Sequence, residues 1–410
     1  MGILKALRCP KCGWESPSRT TFRCSSCAAV LEAIVDIDYL SKSHLLEIRK
    51  RTDQTIWRWF EFFPVEDRSG IVSLGEGYTP LLQSTSLSHV LGIIRLYLKN
   101  DTVLPTGSLK DRSNSVGLSK AKELGFETAA VVSTGNAAAS VAAYSAAAGL
   151  KSVVMVPKGT SRSKMLQAHA YGAAVVVVDG DFDHDVAGLY KNAVREFGWY
   201  DCLSTNPYRD EGKKSYAYEF LDQLGDDVPD WIVHPTAGGT GLYAMWKGYN
   251  ELFSLGWVNR LPRLVAAQSE AAAPIVNALE KGLTDIEPVV ARATVAESIQ
   301  VGNPISVGWR ALEAVRSSKG TAVALTDDEI LEAQSLLARL AGIFAEPAGA
   351  TSVAAAWRLR KQGLIGKDDL VLCNITGHGL KQPAAIQLSD EELRPIAPDL
   401  KALRKRLADK

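Results

Sequence analysis

Trp231-Ile232-Val233-His234-Pro235-Thr236-Ala237-Gly238-Gly239-Thr240-Gly241 is the stretch whose reading decides the fold. It opens as a short apolar run, passes through small residues and glycines, and enters a helical period near Gly241. A strand that runs through glycines straight into a helix belongs to a parallel sheet, where ligands sit beyond the carboxyl ends of the strands. The glycines expose backbone N–H groups at a helix N-terminus and the helix dipole favours an anion there, so 236–241 reads as a phosphate cradle. The spacing is neither G-x-G-x-x-G nor a P-loop and carries no nucleotide signature. A plain strand-to-helix turn needs fewer glycines.

The same alternation extends along the chain. Residues 129–132 read as a buried strand, and 153–156, 175–178, 264–266, 321–325 and 370–373 as further strands. Helical periods fall at 137–148, up to about 171, and from about 186 to 197. Continuous apolar strands alternating with helices predict an α/β fold with mostly parallel sheets covered on both faces. Trp57, Trp59, Phe60, Phe62 and Phe63 read as a packed helix with its cap rather than a ligand-binding cluster. The charged tail, 391–410, reads as a surface helix.

With 410 residues, 46 Lys+Arg against 46 Asp+Glu, 46% apolar and 22% charged residues, the chain is long enough for two or three domains and too apolar for disorder. Zero formal charge argues against a polyanion or nucleic-acid binder. No apolar run spans a bilayer, and the opening residues MGILKALRCPKCG hold no secretion-length hydrophobic stretch, so a cytoplasmic location is expected.

Four of six cysteines, Cys9, Cys12, Cys24 and Cys27, form C-x2-C-x11-C-x2-C in the first 27 residues. Four thiolates at this spacing suit one tetrahedral zinc, and a unit of about 36 residues has too little core to fold without such a staple. With no open coordination position, this zinc would be structural. A redox dithiol is the other reading of the pattern.

Three further loops have the composition of a site. Pro105-Thr106-Gly107-Ser108-Leu109-Lys110-Asp111-Arg112 places a lysine after small residues; buried, it is a Schiff-base former, and exposed, a turn lysine paired to Asp111. Ser133-Thr134-Gly135-Asn136 precedes an alanine-rich helix and suits a carboxylate, or merely caps that helix. Ile375-Thr376-Gly377-His378-Gly379 follows a strand; Thr376 can bond a ring nitrogen without charging it, while an isolated His378 is more often structural. An imine-forming lysine, an anion cradle and a neutral donor for a heterocycle together describe a pyridoxal phosphate site.

The chain resembles the threonine synthase family of fold-type-II pyridoxal phosphate enzymes from about Leu74 to Pro383. The matching segments are L-G-E-G-Y-T-P-L (74–81), P-T-G-S-L-K-D-R (105–112), S-T-G-N-A-A-A-S (133–140), N-P-Y-R-D-E-G-K-K-S (206–215), I-Q-V-G-N-P (299–304), E-P-A-G-A (346–350) and T-G-H-G-L-K (376–381). The resemblance implies a tryptophan-synthase-β-like architecture: two open, mostly parallel sheet domains covered by helices, plus a small zinc ribbon. On that pattern 1–36 is the ribbon, 37–115 and 206–390 the large cofactor domain, 116–205 the small closing domain, and the molecule a homodimer. Lys110 would hold pyridoxal 5'-phosphate, Asn136 its ring hydroxyl, Ala237, Gly238, Gly239, Thr240 and Gly241 its phosphate, and Thr376 its ring nitrogen. Ser133 and Thr134 would meet the carboxylate of an amino-acid substrate, and Ser204 and Arg209 its distal phosphate.

The implied reaction converts O-phospho-L-homoserine and water to L-threonine and phosphate. The chain departs from the family pattern at Leu104, Ala137 and Leu203, where asparagine, threonine and asparagine are common, and at 237–241, often G-N-x-G-N. These departures keep open a related lyase or replacement enzyme acting on another activated amino acid, such as a threonine or serine dehydratase. A non-catalytic sensor or scaffold is the remote alternative.

Overall fold

The computed structural model describes residues 3–304, 306–385, 389–390 and 393–408. Twelve strands follow one another among the described residues: β1 (Ile3–Arg8), β2 (Glu32–Asp36), β3 (Leu81–Leu82), β4 (Arg95–Asn100), β5 (Thr128–Val132), β6 (Lys151–Pro157), β7 (Ala174–Val178), β8 (Tyr200–Asp201), β9 (Trp231–Pro235), β10 (Arg263–Ser269), β11 (Thr321–Leu325) and β12 (Leu370–Ile375). β1 and β2 pair as an antiparallel ribbon. Six strands in the order β11-β10-β9-β12-β4-β3 make one sheet, parallel except for β3, and β7-β6-β5-β8 make a second, wholly parallel one. This is the expected α/β class. No described helix is long and apolar enough to cross a membrane.

The central strands β9, β10 and β12 carry continuous apolar runs because each buries both faces, whereas β7, at the edge of the smaller sheet, leaves Val176 and Val177 exposed. Ile232, Leu264, Ala266 and Leu372 join one core with the aromatic stretch 57–63, and Trp231, Val233, Val265, Ala267, Val371 and Cys373 join another. Side chains alternate across the pleat, so consecutive residues go to opposite cores. The aromatic stretch is a packed 3-10 segment, Ile56–Phe62, buried as expected.

Two outcomes differ from the sequence reading. β4, which lies in the larger sheet between β12 and the edge strand β3, was not expected, because its apolar run ends in Lys99 and Asn100. The tail helix covers only Leu400–Ala408; residues 391, 392, 409 and 410 of the expected span lie outside the described residues. The ribbon packs on the rest of the protein. Leu4, Leu7, Leu31 and Ala33 share one apolar cluster with Val131, Tyr200, Tyr208 and Trp309, and the Tyr208 hydroxyl donates to the Arg19 carbonyl at 2.8 Å.

Lys99 is tolerated in the sheet because a balanced ionic cluster surrounds it. Arg112 donates from Nε to Asp101 Oδ2 at 2.8 Å, from Nη2 to Asp101 Oδ1 at 2.9 Å, and to both carboxylate oxygens of Glu219. Lys99 Nζ lies 2.6 Å from Glu219 Oε2. Tyr216 and Thr79 hydroxyls donate to Asp101 at 2.5 and 2.7 Å. Burial alone would raise both carboxyl pKa values, but Arg112 and Lys99 more than offset it and hold both below the usual range. Two cations face two anions, so no net charge is buried. Arg112→Met would leave two buried carboxylates sharing Lys99 and should cost about 3–5 kcal/mol of stability. Urea unfolding measures this; a loss under about 1 kcal/mol would contradict the role given to the cluster.

Candidate active site

The carboxyl ends of β4, β9 and β12 lie side by side in the larger sheet. Each feeds one of the loops singled out in the sequence. The β4 and β12 loops are tied together: the Leu109 N–H donates to the Thr376 carbonyl at 2.9 Å, and the His378 N–H to the Gly107 carbonyl at 2.9 Å. Lys110 is the first residue of the Lys110–Glu123 helix. Its neighbour Asp111 is turned away from it, accepting from the Thr106 N–H at 2.7 Å, the Thr106 hydroxyl at 2.6 Å and the Ser140 hydroxyl at 2.7 Å. The turn-lysine reading, a Lys110–Asp111 pair, is therefore not what forms.

The Lys110 amine has no hydrogen bond or ion pair among the described residues and faces a cavity. Burial, joined by the charge of Arg209 and opposed by Glu346, lowers its pKa to about 8. The same cavity is lined by Asn136, residues 236–241 and Thr376. The 237–241 loop leads into the Thr240–Ser254 helix with Gly239 at φ +90°, where a Cβ would overlap that of Ala311. A side chain at Gly238 would come within 3.2 Å of Val307. Glycine here lets the loop pack closely against Ala311 and Val307, and the N–H groups of 237–241 make no hydrogen bond among the described residues.

An adjoining cleft of about 530 Å³, within the range of small-molecule sites, is lined by Lys110, Ser133, Thr134 and Asn136. The Asn136–Ala148 helix has no side-chain cap, so the Ser133 and Thr134 hydroxyls are not spent on capping it. Ser204 and Arg209 line neither cavity. Ser204 is exposed, and Arg209 is buried, donating from Nε to Asn114 Oδ1 at 3.1 Å, with no carboxylate partner among the described residues. His378 is structural, its Nδ1 accepting from the Leu380 N–H at 3.1 Å.

Sequence reasoning passed over four cavity residues: Glu346, Ser298, Lys213 and His234. Asn136 Nδ2 lies 3.1 Å from both Glu346 oxygens, and the Ser298 hydroxyl donates to Glu346 Oε2 at 3.0 Å. Burial raises the Glu346 pKa, opposed by those two hydrogen bonds. Lys213 donates to the Thr240 hydroxyl at 2.7 Å, and burial lowers its pKa to about 7. The one signal available was that Glu346 and Lys213 lie inside the matched E-P-A-G-A and Y-R-D-E-G-K-K-S segments.

Residues 72–377 match the pyridoxal-phosphate dependent enzyme family. The chain is 42% identical to a threonine synthase of Methanocaldococcus jannaschii over 404 residues, covering 98% of this chain and 99% of that one. It is 40% identical to a threonine synthase of Methanosarcina acetivorans over 98% of this chain and 99% of that one. The chain belongs to the pyridoxal-phosphate dependent enzyme family and is a homologue of threonine synthases. Maize serine racemase shares the fold of this family member at a TM-score of 0.64 with 20% identity, over 81% of this chain and 93% of that one.

The cavity fits the family's cofactor. Besides an unpartnered amine and open loop N–H groups, it holds the Ser108 hydroxyl, buried with no hydrogen-bond partner. The thiols of Cys9, Cys12, Cys24 and Cys27 lie within 4.8 Å of one another, with sulfur separations of 3.4, 3.5 and 3.8 Å for Cys9–Cys27, Cys12–Cys24 and Cys12–Cys27. Tetrahedral Zn–S bonds of about 2.3 Å set sulfur atoms about 3.8 Å apart, so the cluster is compatible with one zinc.

Only a free amine adds to a carbonyl, and Lys110 loses its proton near pH 8. Pyridoxal phosphate should therefore join the cofactor-free protein at a rate that rises as pH climbs through about 8 and levels above it. Near-visible absorbance follows the reaction. A rate still climbing at about pH 10, as for an exposed lysine, would contradict the site.

Proposed function

We propose that this chain is a threonine synthase, converting O-phospho-L-homoserine and water to L-threonine and phosphate with pyridoxal phosphate held at Lys110. One juxtaposition carries the reading: an unpartnered, pKa-lowered Lys110 shares a cavity with the 237–241 glycine loop and Thr376, in a chain 42% identical to a threonine synthase across nearly its whole length. When bound, pyridoxal phosphate supplies an aldehyde that condenses with amines and a ring that withdraws electrons from the attached carbon.

The chain's own residues do the rest. Lys110 anchors the cofactor and then, as a free base, takes and returns the proton at the substrate's α-carbon. The N–H groups of Ala237, Gly238, Gly239, Thr240 and Gly241 hold the cofactor phosphate at the helix N-terminus. Asn136, already oriented by Glu346, bonds the ring hydroxyl. Thr376 faces the ring nitrogen with a neutral hydroxyl, which leaves that nitrogen uncharged and restrains side reactions. Ser133 and Thr134 receive the substrate carboxylate. Arg209, a buried cation without a carboxylate partner, attracts the distal phosphate and stabilises it as it leaves Cγ, with Ser204 moving in beside it. The electron pair that lets phosphate depart comes from the Cβ–H bond, whose proton is removed; a proton is then added at Cγ, and water adds at Cβ.

Residues 116–205, which carry the four-stranded sheet, close on the larger domain formed by 37–115 and 206–390 and exclude bulk water. The ribbon of residues 1–36 holds a structural zinc, and the enzyme works in the cytoplasm as a homodimer.

Incubation with O-phospho-L-homoserine should release phosphate and L-threonine in equal amounts, and Lys110→Ala should abolish both together with the near-visible absorbance. Keto acid formed from serine or threonine, without phosphate release from the phosphorylated substrate, would assign a dehydratase instead. Metal analysis of the purified protein should find one zinc per chain; protein lacking zinc yet fully folded would remove its structural role.

A further inference from the structure

Gly241 occupies the last position of the cofactor loop, where the resembling family often has asparagine. A Cβ built on Gly241 would overlap His234 Nε2 and lie 2.9 and 3.1 Å from Cδ2 and Cε1 of the same ring. His234 is buried on β9 and lines the cavity that holds Lys110, Lys213 and residues 236–241. The imidazole thus fills the space that a side chain at 241 would take.

The tautomer follows from the ring's other neighbour. Asn374 Nδ2 lies 3.0 Å from His234 Nδ1 and 3.4 Å from Met245 Sδ. In this orientation both amide hydrogens meet acceptors and Oδ1 is buried without a partner, whereas a flipped amide would set its oxygen against the sulfur. We assign Nδ1 as the acceptor on this ground, which puts the ring proton on Nε2, the atom facing Gly241. That Nε2–H finds no acceptor among the described residues. Burial, with the charges of Lys110 and Lys213, lowers the His234 pKa to about 3, so the ring stays neutral.

We propose that His234 is a further cofactor-binding residue: its neutral Nε2–H donates to an oxygen of the phosphate group held over the 237–241 loop, in place of a side chain at 241. The inference rests on the reading of this cavity as the pyridoxal phosphate site. An inward donor without a partner, the open N–H groups of the loop, and the Lys213 ammonium bonded to the loop hydroxyl of Thr240 all converge on one anion.

The test compares holoenzyme labelled with 15N-histidine with the same protein freed of pyridoxal phosphate. His234 should show the Nε2–H tautomer, and its Nε2 proton should move downfield when pyridoxal phosphate binds. His234→Phe, which keeps a planar ring but removes the donor, should shift the 31P resonance of the bound cofactor and weaken its binding about tenfold or more. His234→Ala should weaken binding too, and His234→Ala with Gly241→Asn should recover most of it. An Nδ1–H tautomer indifferent to the cofactor, or a His234→Phe protein with unchanged 31P shift and affinity, would overturn the proposal. Failure of the underlying reading looks different: the unmodified protein would then take up no pyridoxal phosphate and show no near-visible band. The tautomer measurement needs no variant to fold.

Discussion

Arg112 stands two residues after Lys110 on the same helix, and its guanidinium is spent entirely inside the protein. It grips Asp101 at the end of β4 and Glu219 on the Ser215–Gln223 helix. Because the cluster is neutral overall and every charged group has several partners, it acts as a rigid joint between sheet and helix rather than as a set of isolated buried charges. Asp111 fixes the other side of the same turn through Thr106 and Ser140. The consequence is felt at Lys110. With both following residues committed elsewhere, its amine has no ion-pair partner among the described residues and faces the cavity it shares with Glu346. The K-D-R triplet thus divides its work: two residues anchor the helix end, and the first is left reactive.

That division explains the electrostatics of the site. A lysine in water keeps its proton to a pH above 10. Here burial and the nearby Arg209 bring the pKa to about 8, while Glu346 limits the fall. Glu346 in turn is tied to Asn136 and Ser298, so one carboxylate orients an amide and sets the charge balance around the amine. The second buried ammonium, at Lys213, is drawn to the glycine loop through Thr240 rather than towards Lys110. Two lysines in one cavity serve two ends of it.

Much of this was legible in the chain. The strands β5, β6, β7, β9, β10, β11 and β12 and the helices between them follow from apolar runs and periodicity. The convergence of the loops holding Lys110, Asn136, 237–241 and Thr376 follows from the rule that ligands lie beyond strand ends. β4 was hidden because Lys99 looks like a surface residue until Glu219 is placed beside it, a pairing 120 positions apart that no local pattern encodes. β3 and β8 have two residues each, too few for a period. Glu346 reads as an ordinary residue before a helix-opening proline, and His234 as a polar interruption of a strand. The part each plays arises from contacts across the fold, with Asn136 and with Gly241.

The central claim is that the turn at 105–112 leaves one lysine, and not its neighbours in the cavity, to carry the cofactor. Borohydride reduction of the holoenzyme, followed by digestion and mass spectrometry, tests it most directly. The account predicts a single pyridoxyl-phosphate adduct on the peptide containing Lys110. An adduct on Lys213, or on Lys381 in the adjoining cleft, or none on any lysine, would contradict it.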